Sequence, residues 1–418
     1  MIDVTVFCLT YNHGKYIKDT LEGFLNQKTN YTFKVFVYDD ASTDGTSAIL
    51  REYASKYPNV FDVYIAPENM YQHSTPEKYA KYMNDLYKDH ICGRYVAWCE
   101  GDDYWSDADK LQLQIGFMDR HPECSMTAHA SLWLDFQKNE EREFHPFRED
   151  RFLSEEEIIL QPTGNLSTAS LVMKRDVFMK GENFPLCDVG DVPMQLSALN
   201  KGKIYYFNRV MSVYRYMHES SWSATTGLNH ERAVLHNYNM VRFYEVYDKY
   251  TDGRFHELIR KRSIYYMECV FRVNESVADE EYYNICEFVK KRAKENYEHY
   301  LKKQQEVRDI VKKQIMTDLV MKEIKKYKHI VIMGVGKYSH YISSLLQKNS
   351  IYYDGYVVTN LQDNDTQKKD NLWELGKCPF DKAETIVIVG ISQVSEKSVI
   401  NALKLNGIHN YIMPLWTY

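Results

Sequence analysis

The chain lacks any CxxC pair. Its eight cysteines are scattered, and Cys8 and Cys99 lie inside the apolar runs VTVFCL and VAWC, where a reduced thiol serves as a small core residue. That usage favours a reducing cytosol over a disulfide framework. The N-terminal MIDVTVFCLTYN is a short strand-like run with an early Asp3 and does not have the form of a signal peptide. No stretch approaches the roughly 18 apolar residues that a membrane-spanning helix requires. Excess positive charge is missing too. The 52 Lys and Arg against 58 Asp and Glu leave a net −6, and no basic patch with interleaved aromatics stands out, which argues against a nucleic-acid partner. The expectation is a soluble, cytoplasmic protein.

What is present is enough chain, at 418 residues, for two or three domains, with 44% hydrophobic and 26% charged residues as in an ordinary globular protein. Tyrosine is abundant at 35 residues, suiting clefts where a ring packs and its hydroxyl stays wet. Strand and helix signals alternate through the first two hundred residues: DVTVFCLT, FKVFVYDD, NVFDVYIAPEN and RYVAWCEGDD read as strands, each followed by a helical pattern. Short apolar runs alternating with amphipathic helices predict an α/β fold with a parallel sheet covered on both faces. Ligands in such sheets bind beyond the carboxyl ends of the strands, and LTYN, YDDAS and CEGDD all fall there. Three polar clusters should therefore converge on one cleft.

From 227 to 327 the pattern becomes helical, with apolar positions at three- and four-residue spacing. Residues 289–328 carry 13 Lys and Arg against 6 Asp and Glu, a net +7, leaving −13 for the remainder. Such a basic amphipathic stretch is read as a solvated connector, with peripheral contact to an anionic membrane face as the alternative. From 328 to 418 strand, glycine-rich turn and helix recur in HIVIMGVGKYSHYISSLLQKN, predicting a small Rossmann-like domain. Its G-x-G-x-x-S turn lacks the third glycine, and YVVTN lacks the acid that a dinucleotide ribose calls for. A sugar-nucleotide site, a homodimer surface and a relic fold all stay open for it.

In EGDDYW, the acids Glu100, Asp102 and Asp103 crowd the end of a core strand. A divalent cation, Mg²⁺ or Mn²⁺, neutralises such a cluster and accepts substrate phosphates alongside one or two carboxylates. The other reading is a helix N-terminus, since Ser106 and Asp107 precede the amphipathic ADKLQLQIGFM. Asp39 and Asp40 precede a turn and suit either a helix cap or acceptance of a base N–H or ribose hydroxyl. In LTYN, Thr10, Tyr11 and Asn12 place an aromatic ring where a base can stack.

Taken in order, VTVFCLTYNHGKYIKDTLEGFLNQ, VYDDASTDGT, EGDDYWSDADKLQLQ and GDVPMQL resemble the successive motifs of glycosyltransferase family 2, over roughly residues 1–225. The resemblance implies a GT-A fold in a domain of residues 1–226, and an inverting enzyme that uses a nucleotide-diphosphate sugar. It implies that Thr10, Tyr11 and Asp40 hold the base with Asp39 nearby, and that Asp102 and Asp103 stand where the DxD motif meets ribose, metal and diphosphate. Glu100 stands in this chain where many members have the first Asp. Inversion by direct displacement needs a base opposite the leaving group; the resemblance points to Asp191 in PLCDVGDVPMQL, with Asp188 as runner-up. Asp191 also reads as a first-turn carboxylate ahead of Pro193. The loop around GNLSTAS offers Asn165 and Ser167 on the acceptor side, and VYRYMHESSW offers Arg215 as a phosphate counter-ion, His218 as a metal ligand and Trp222 as a sugar platform. The activity implied is transfer from a UDP- or dTDP-sugar to a glycan, lipid-linked or protein-linked acceptor at the inner face of the membrane. A sugar nucleotidyltransferase and a non-catalytic assembly subunit are the alternatives.

Overall fold

The protein is described here by a computed structural model. It describes residues 2–160, 166–181, 183–219, 221–277, 279–315, 323–334, 337–348, 350–359, 371–390 and 396–412. Two compact units emerge: residues 1–232 with 242–262, and residues 233–241 with 263–418.

In the first unit the apolar runs become strands β1 (Val4–Thr10), β2 (Phe33–Asp39), β3 (Phe61–Ile65) and β4 (Tyr95–Trp98). They lie in the order β3-β2-β1-β4 and all run parallel. β1 is buried on both faces, which is why it reads as a continuous apolar run rather than an alternating one. Val4, Val6 and Cys8 face a core shared with Ile17, Leu21 and Phe24 of the helix Ile17–Leu25 and with Leu111, Ile115 and Met118 of the helix Lys110–Arg120. Phe7 points the other way, into edge-on contacts with Tyr87 at 5.3 Å and Phe178 at 5.4 Å. Burying each such ring or branched chain contributes roughly 1.5–3 kcal/mol.

Beyond β4 the sheet departs from the parallel expectation. β5 (Tyr104–Trp105), β6 (Cys124–Asp135), β7 (Glu140–Phe144), β8 (Arg151–Phe152), β9 (Val172–Lys174) and β10 (Lys203–Tyr216) extend it. β9 runs antiparallel to both β4 and β6, while β10 runs parallel to β6 and antiparallel to β5. The motif strands are spaced by helices and so pair in parallel; β6 and β7 are joined by a short turn that forces an antiparallel return.

The middle region forms the long helices His230–Tyr250, His256–Ser276, Asp279–Ala293 and Tyr297–Ile315. Among the described residues, no helix is long and apolar enough to cross a membrane. In the second unit β11 (His329–Met333), β12 (Gly355–Val358), β13 (Leu372–Glu374), β14 (Thr385–Val389) and β15 (Tyr411–Ile412) form one parallel sheet in the order β13-β12-β11-β14-β15. The α/β class and the small Rossmann-like sheet are those the sequence predicts. Val335 and Gly336 of the glycine-rich turn lie outside the described residues.

Candidate active site

The order β2-β1-β4 brings the three polar clusters to adjacent strand ends. The turns after β1 and β2 are stitched together. Asn12, at φ 54°, donates its N–H to Ser42 Oγ at 2.8 Å, its Oδ1 accepts the Thr43 N–H at 2.8 Å, and the Gly14 N–H reaches Asp44 Oδ2 at 2.8 Å. A positive φ is tolerated by Asn because its short amide bonds locally.

Asp39 is fully buried and serves its own turn. Its Oδ1 accepts the Ser42 N–H at 3.1 Å and the Ser42 hydroxyl, and its Oδ2 accepts the Ser47 hydroxyl. Asp40 accepts the Tyr38 hydroxyl at 2.7 Å and the N–H groups of Met70 at 2.8 Å and Tyr71 at 3.1 Å. A carboxylate offers about four lone-pair positions, and each of these two has three of them taken. Thr10 closes β1 and is buried, and Tyr11 is half-buried beside it.

The acidic turn after β4 is packed against β1 and the helix Ile17–Leu25. Thr20 Oγ1 donates to the carbonyls of Asp103 at 2.6 Å and Gly101 at 3.0 Å. Only glycine fits at 101, where a Cβ would stand 2.5 Å from Thr10 Oγ1 and 2.9 Å from Ile17 Cδ1. The turn's carboxyl groups differ sharply in environment. Burial, then the charges of Asp102 and Asp191, raise Glu100 to about 8. Burial and the Asp102 charge push Asp103 well above the usual carboxylate range, although its Oδ1 accepts the Arg215 N–H at 2.9 Å. Burial alone would raise Asp102 as well, but His13 and His218 outweigh it and hold the carboxyl below its ordinary value.

Asp102 is therefore the member of the cluster whose charged form its neighbours favour. Its Oδ2 lies 2.9 Å from His218 Nε2 and 3.7 Å from His13 Nε2. Its Oδ1 is buried and has no hydrogen-bond partner among the described residues, as is true of Asp103 Oδ2. A buried, ionised oxygen left unbonded costs several kcal/mol unless a ligand completes it. The donor set of one ionised carboxylate and one imidazole fits a divalent cation that takes its other ligands from phosphate and water. Among the described residues no three His, Cys, Asp or Glu side chains are grouped to hold a metal by themselves.

Asp191 opens the helix Asp191–Lys201, facing the acidic turn closely enough for its charge to raise Glu100. The helix start is fixed by Gly190, where a Cβ would fall 2.4 Å from Trp98 Cη2, so the chain rides directly on the last ring of β4. Asp188, three residues earlier, is exposed.

Arg215 lies under the acidic turn rather than over a cleft. Only 7% of its side chain is exposed; the guanidinium is sandwiched between the rings of Tyr16 at 4.9 Å and Tyr104 at 4.8 Å, donates to the Asp102 carbonyl at 2.6 Å and pairs with Asp19. The planar fork fits this slot and an ammonium does not. Arg215→Lys is expected to lower stability by about 2 kcal/mol through the lost stacking and one lost charged hydrogen bond, read as a lower urea midpoint. Ser167 is also turned inward, its hydroxyl 2.7 Å from Ser131 Oγ. Trp222 begins the helix Trp222–Gly227 and is 44% exposed. Asn165 lies outside the described residues.

Lys110 is fully buried behind β4. Its Nζ donates to Gln114 Oε1 at 2.7 Å and sits 4.4 Å from the Trp105 ring centre. Burial lowers the amine from 10.5 to about 7. Between those values the unfolded chain binds a proton that the folded chain does not, so stability rises with pH, by up to about 1.4 kcal/mol per pH unit. Below pH 7 both states are protonated and the penalty is constant. Lys110→Met removes the slope, so wild type is expected to gain on the variant between pH 7 and pH 10 in urea denaturation.

The sequence reading missed His13, Tyr16, Asp19 and Tyr104. Each meets the site through a partner far away in sequence, and no spacing in a single sequence signals such a pairing.

Residues 5–181 match glycosyl transferase family 2. Rv1520 of Mycobacterium tuberculosis is 30% identical over 231 residues, covering 52% of this chain and 60% of its own length. TuaG of Bacillus subtilis, named as a teichuronic acid biosynthesis glycosyltransferase, is 31% identical over 133 residues, covering 32% of this chain and 48% of its own. The chain thus spans less than two thirds of the length of these relatives. Among solved structures, S. aureus TarS 1–349 in complex with UDP-GlcNAc aligns with a TM-score of 0.45 at 15% identity, over 84% of this chain and 93% of that one. Mannosyltransferase PcManGT from Pyrobaculum calidifontis, in complex with GDP-Man and Mn²⁺, aligns with a TM-score of 0.45 at 15% identity, over 83% and 86%. Through residues 5–181 the chain is thus similar to glycosyl transferase family 2.

Proposed function

We propose that this protein is an inverting, metal-dependent glycosyltransferase that moves a sugar from a UDP- or dTDP-sugar to a hydroxyl of a glycan, lipid-linked or protein-linked acceptor. One observation carries the reading: at the end of β4 the Asp102 carboxyl has one oxygen beside two imidazoles and the other buried with no hydrogen-bond partner among the described residues. Such an oxygen is built for a ligand.

Asp102 and His218 would hold Mn²⁺ or Mg²⁺, whose chemistry there is to neutralise the diphosphate as it departs. Tyr11 offers its ring to the base, and Asp40 would accept a base N–H. Thr10 and Asn12 shape the floor of that pocket. Asp191 faces the acidic turn from the first turn of its helix and takes the proton from the acceptor hydroxyl. The hydroxyl oxygen bonds to the anomeric carbon, the bond from that carbon to the phosphate oxygen breaks with its electron pair leaving on the diphosphate, and configuration inverts. Glu100 and Asp103, raised by burial, limit the negative charge that the donor diphosphate meets. Trp222, exposed at the start of its helix, would offer its ring to a sugar.

The full chain with UDP- and dTDP-sugars is expected to release free nucleoside diphosphate in Mn²⁺ or Mg²⁺ and not in EDTA. Release equal in both, or none from any donor, would contradict the reading.

A further inference from the structure

We infer that His13 is a diphosphate-binding residue, which presents a ring N–H to the leaving phosphate beside Asp102; this rests on the donor reading above.

His13 follows Asn12 in the turn after β1, and that turn is immobilised from both sides. Ser42 Oγ and the Thr43 N–H hold Asn12, while the His13 carbonyl accepts the N–H groups of Tyr16 and Ile17, both at 2.8 Å, and so starts the helix Ile17–Leu25. The side chain has little freedom left: it is 12% exposed and approaches the His218 ring edge-on at 6.4 Å. Its Nε2 faces Asp102 Oδ2 at 3.7 Å, too long for a hydrogen bond and too far for both groups to be satisfied by one another. Its Nδ1 is buried and has no hydrogen-bond partner among the described residues.

A core histidine normally has at least one ring nitrogen bonded, since a buried unbonded polar atom loses its water without recompense. Among the described residues neither His13 nitrogen is in a hydrogen bond, and Asp102 Oδ1 and Thr10 Oγ1 are also buried and unbonded. His13 Nδ1 and Asp102 Oδ1, buried at two neighbouring strand ends without partners among the described residues, are polar atoms that a ligand would satisfy. That ligand must satisfy a carboxylate oxygen on one side, as a cation does, and an imidazole N–H on the other, as a phosphate oxygen does. A diphosphate carrying a divalent cation meets both requirements. A monophosphate, one phosphoryl group shorter, is expected to reach one of them.

The test is isothermal titration calorimetry of the full chain in Mn²⁺ with UDP, dTDP, UMP and dTMP, comparing wild type with His13→Gln and His13→Phe. Glutamine keeps a donor and an approximate shape, and phenylalanine keeps the ring without the donor. For the nucleotide that wild type binds, His13→Phe is expected to weaken the diphosphate about tenfold or more, the value of one hydrogen bond to a charged group, and to leave the monophosphate within about twofold. His13→Gln is expected to recover part of the loss. Equal weakening of diphosphate and monophosphate would assign His13 to supporting the turn and overturn the inference. So would wild-type affinity in both variants. If wild type binds none of the four nucleotides, the donor reading falls and this inference with it, whereas a wild type that binds UDP while the variants keep its preference for diphosphate sinks the His13 role alone.

Discussion

Asp102→Asn is expected to lower nucleoside diphosphate release from the donor sugar by about three orders of magnitude, equivalent to the several kcal/mol that a cation contributes at a departing phosphate. The substitution keeps the size of the side chain and its approach to His218 but removes the charge that His13 and His218 favour in the native carboxylate. Because the loss occurs at the cation, titration of UDP or dTDP should also lose its dependence on Mn²⁺. Release assays and calorimetry on the same preparation check both. Asp103→Asn offers the contrast. That carboxyl is already pushed toward its neutral form by burial, and its Oδ1 is occupied by the Arg215 N–H, so the amide is expected to change activity far less.

Asp191→Asn is expected to lower transfer by about 10²- to 10⁴-fold, the range of one positioned general base. Donor affinity should stay near wild type, because Asp191 sits on the helix Asp191–Lys201 and not on the turns proposed to hold the nucleotide. The two variants therefore separate cleanly: one fails in metal-dependent binding and turnover, the other in turnover alone. Transfer measured with a saturating donor, beside the dissociation constant of the donor, distinguishes them. An Asp191→Asn protein that transfers at the wild-type rate moves the base to another group, with Asp188 the first to test.

The strand framework was legible in the sequence because it depends on local pattern. VTVFCLT, FKVFVYD and YVAW are apolar runs ended by polar residues, and each became a parallel strand whose end carries its polar cluster. The convergence of those clusters was legible too, since strands joined by helices pair in parallel and place their carboxyl ends on one edge. The antiparallel strands beyond β4 were not legible, because their runs are short or long and mixed, and their pairing is set by returns that carry no periodic signal. Within the site the limit was distance along the chain. Arg215 looked like a phosphate counter-ion because a basic residue near the end of a strand is compatible with that use. Its bond to the Asp102 carbonyl spans 113 positions, and its burial between Tyr16 and Tyr104 comes from tertiary packing. His13 stood in the motif LTYNHGK all along, but its approach to Asp102 is visible only once β1 lies beside β4. The separate behaviour of Glu100, Asp102 and Asp103 likewise depends on tertiary neighbours: Asp102 meets two imidazoles, while burial and nearby carboxylates dominate at Glu100 and Asp103.

The most direct test of the account is a crystal of the full chain grown with UDP or dTDP and Mn²⁺, with an anomalous difference map recorded for manganese. The account predicts one manganese peak at about 2.0–2.3 Å from an Asp102 carboxylate oxygen and from His218 Nε2, typical bond lengths for such ligands, with both phosphates on it and the base over Tyr11. A nucleotide bound at the glycine-rich turn of the second unit, or one bound at these strand ends with no manganese on Asp102, would contradict it.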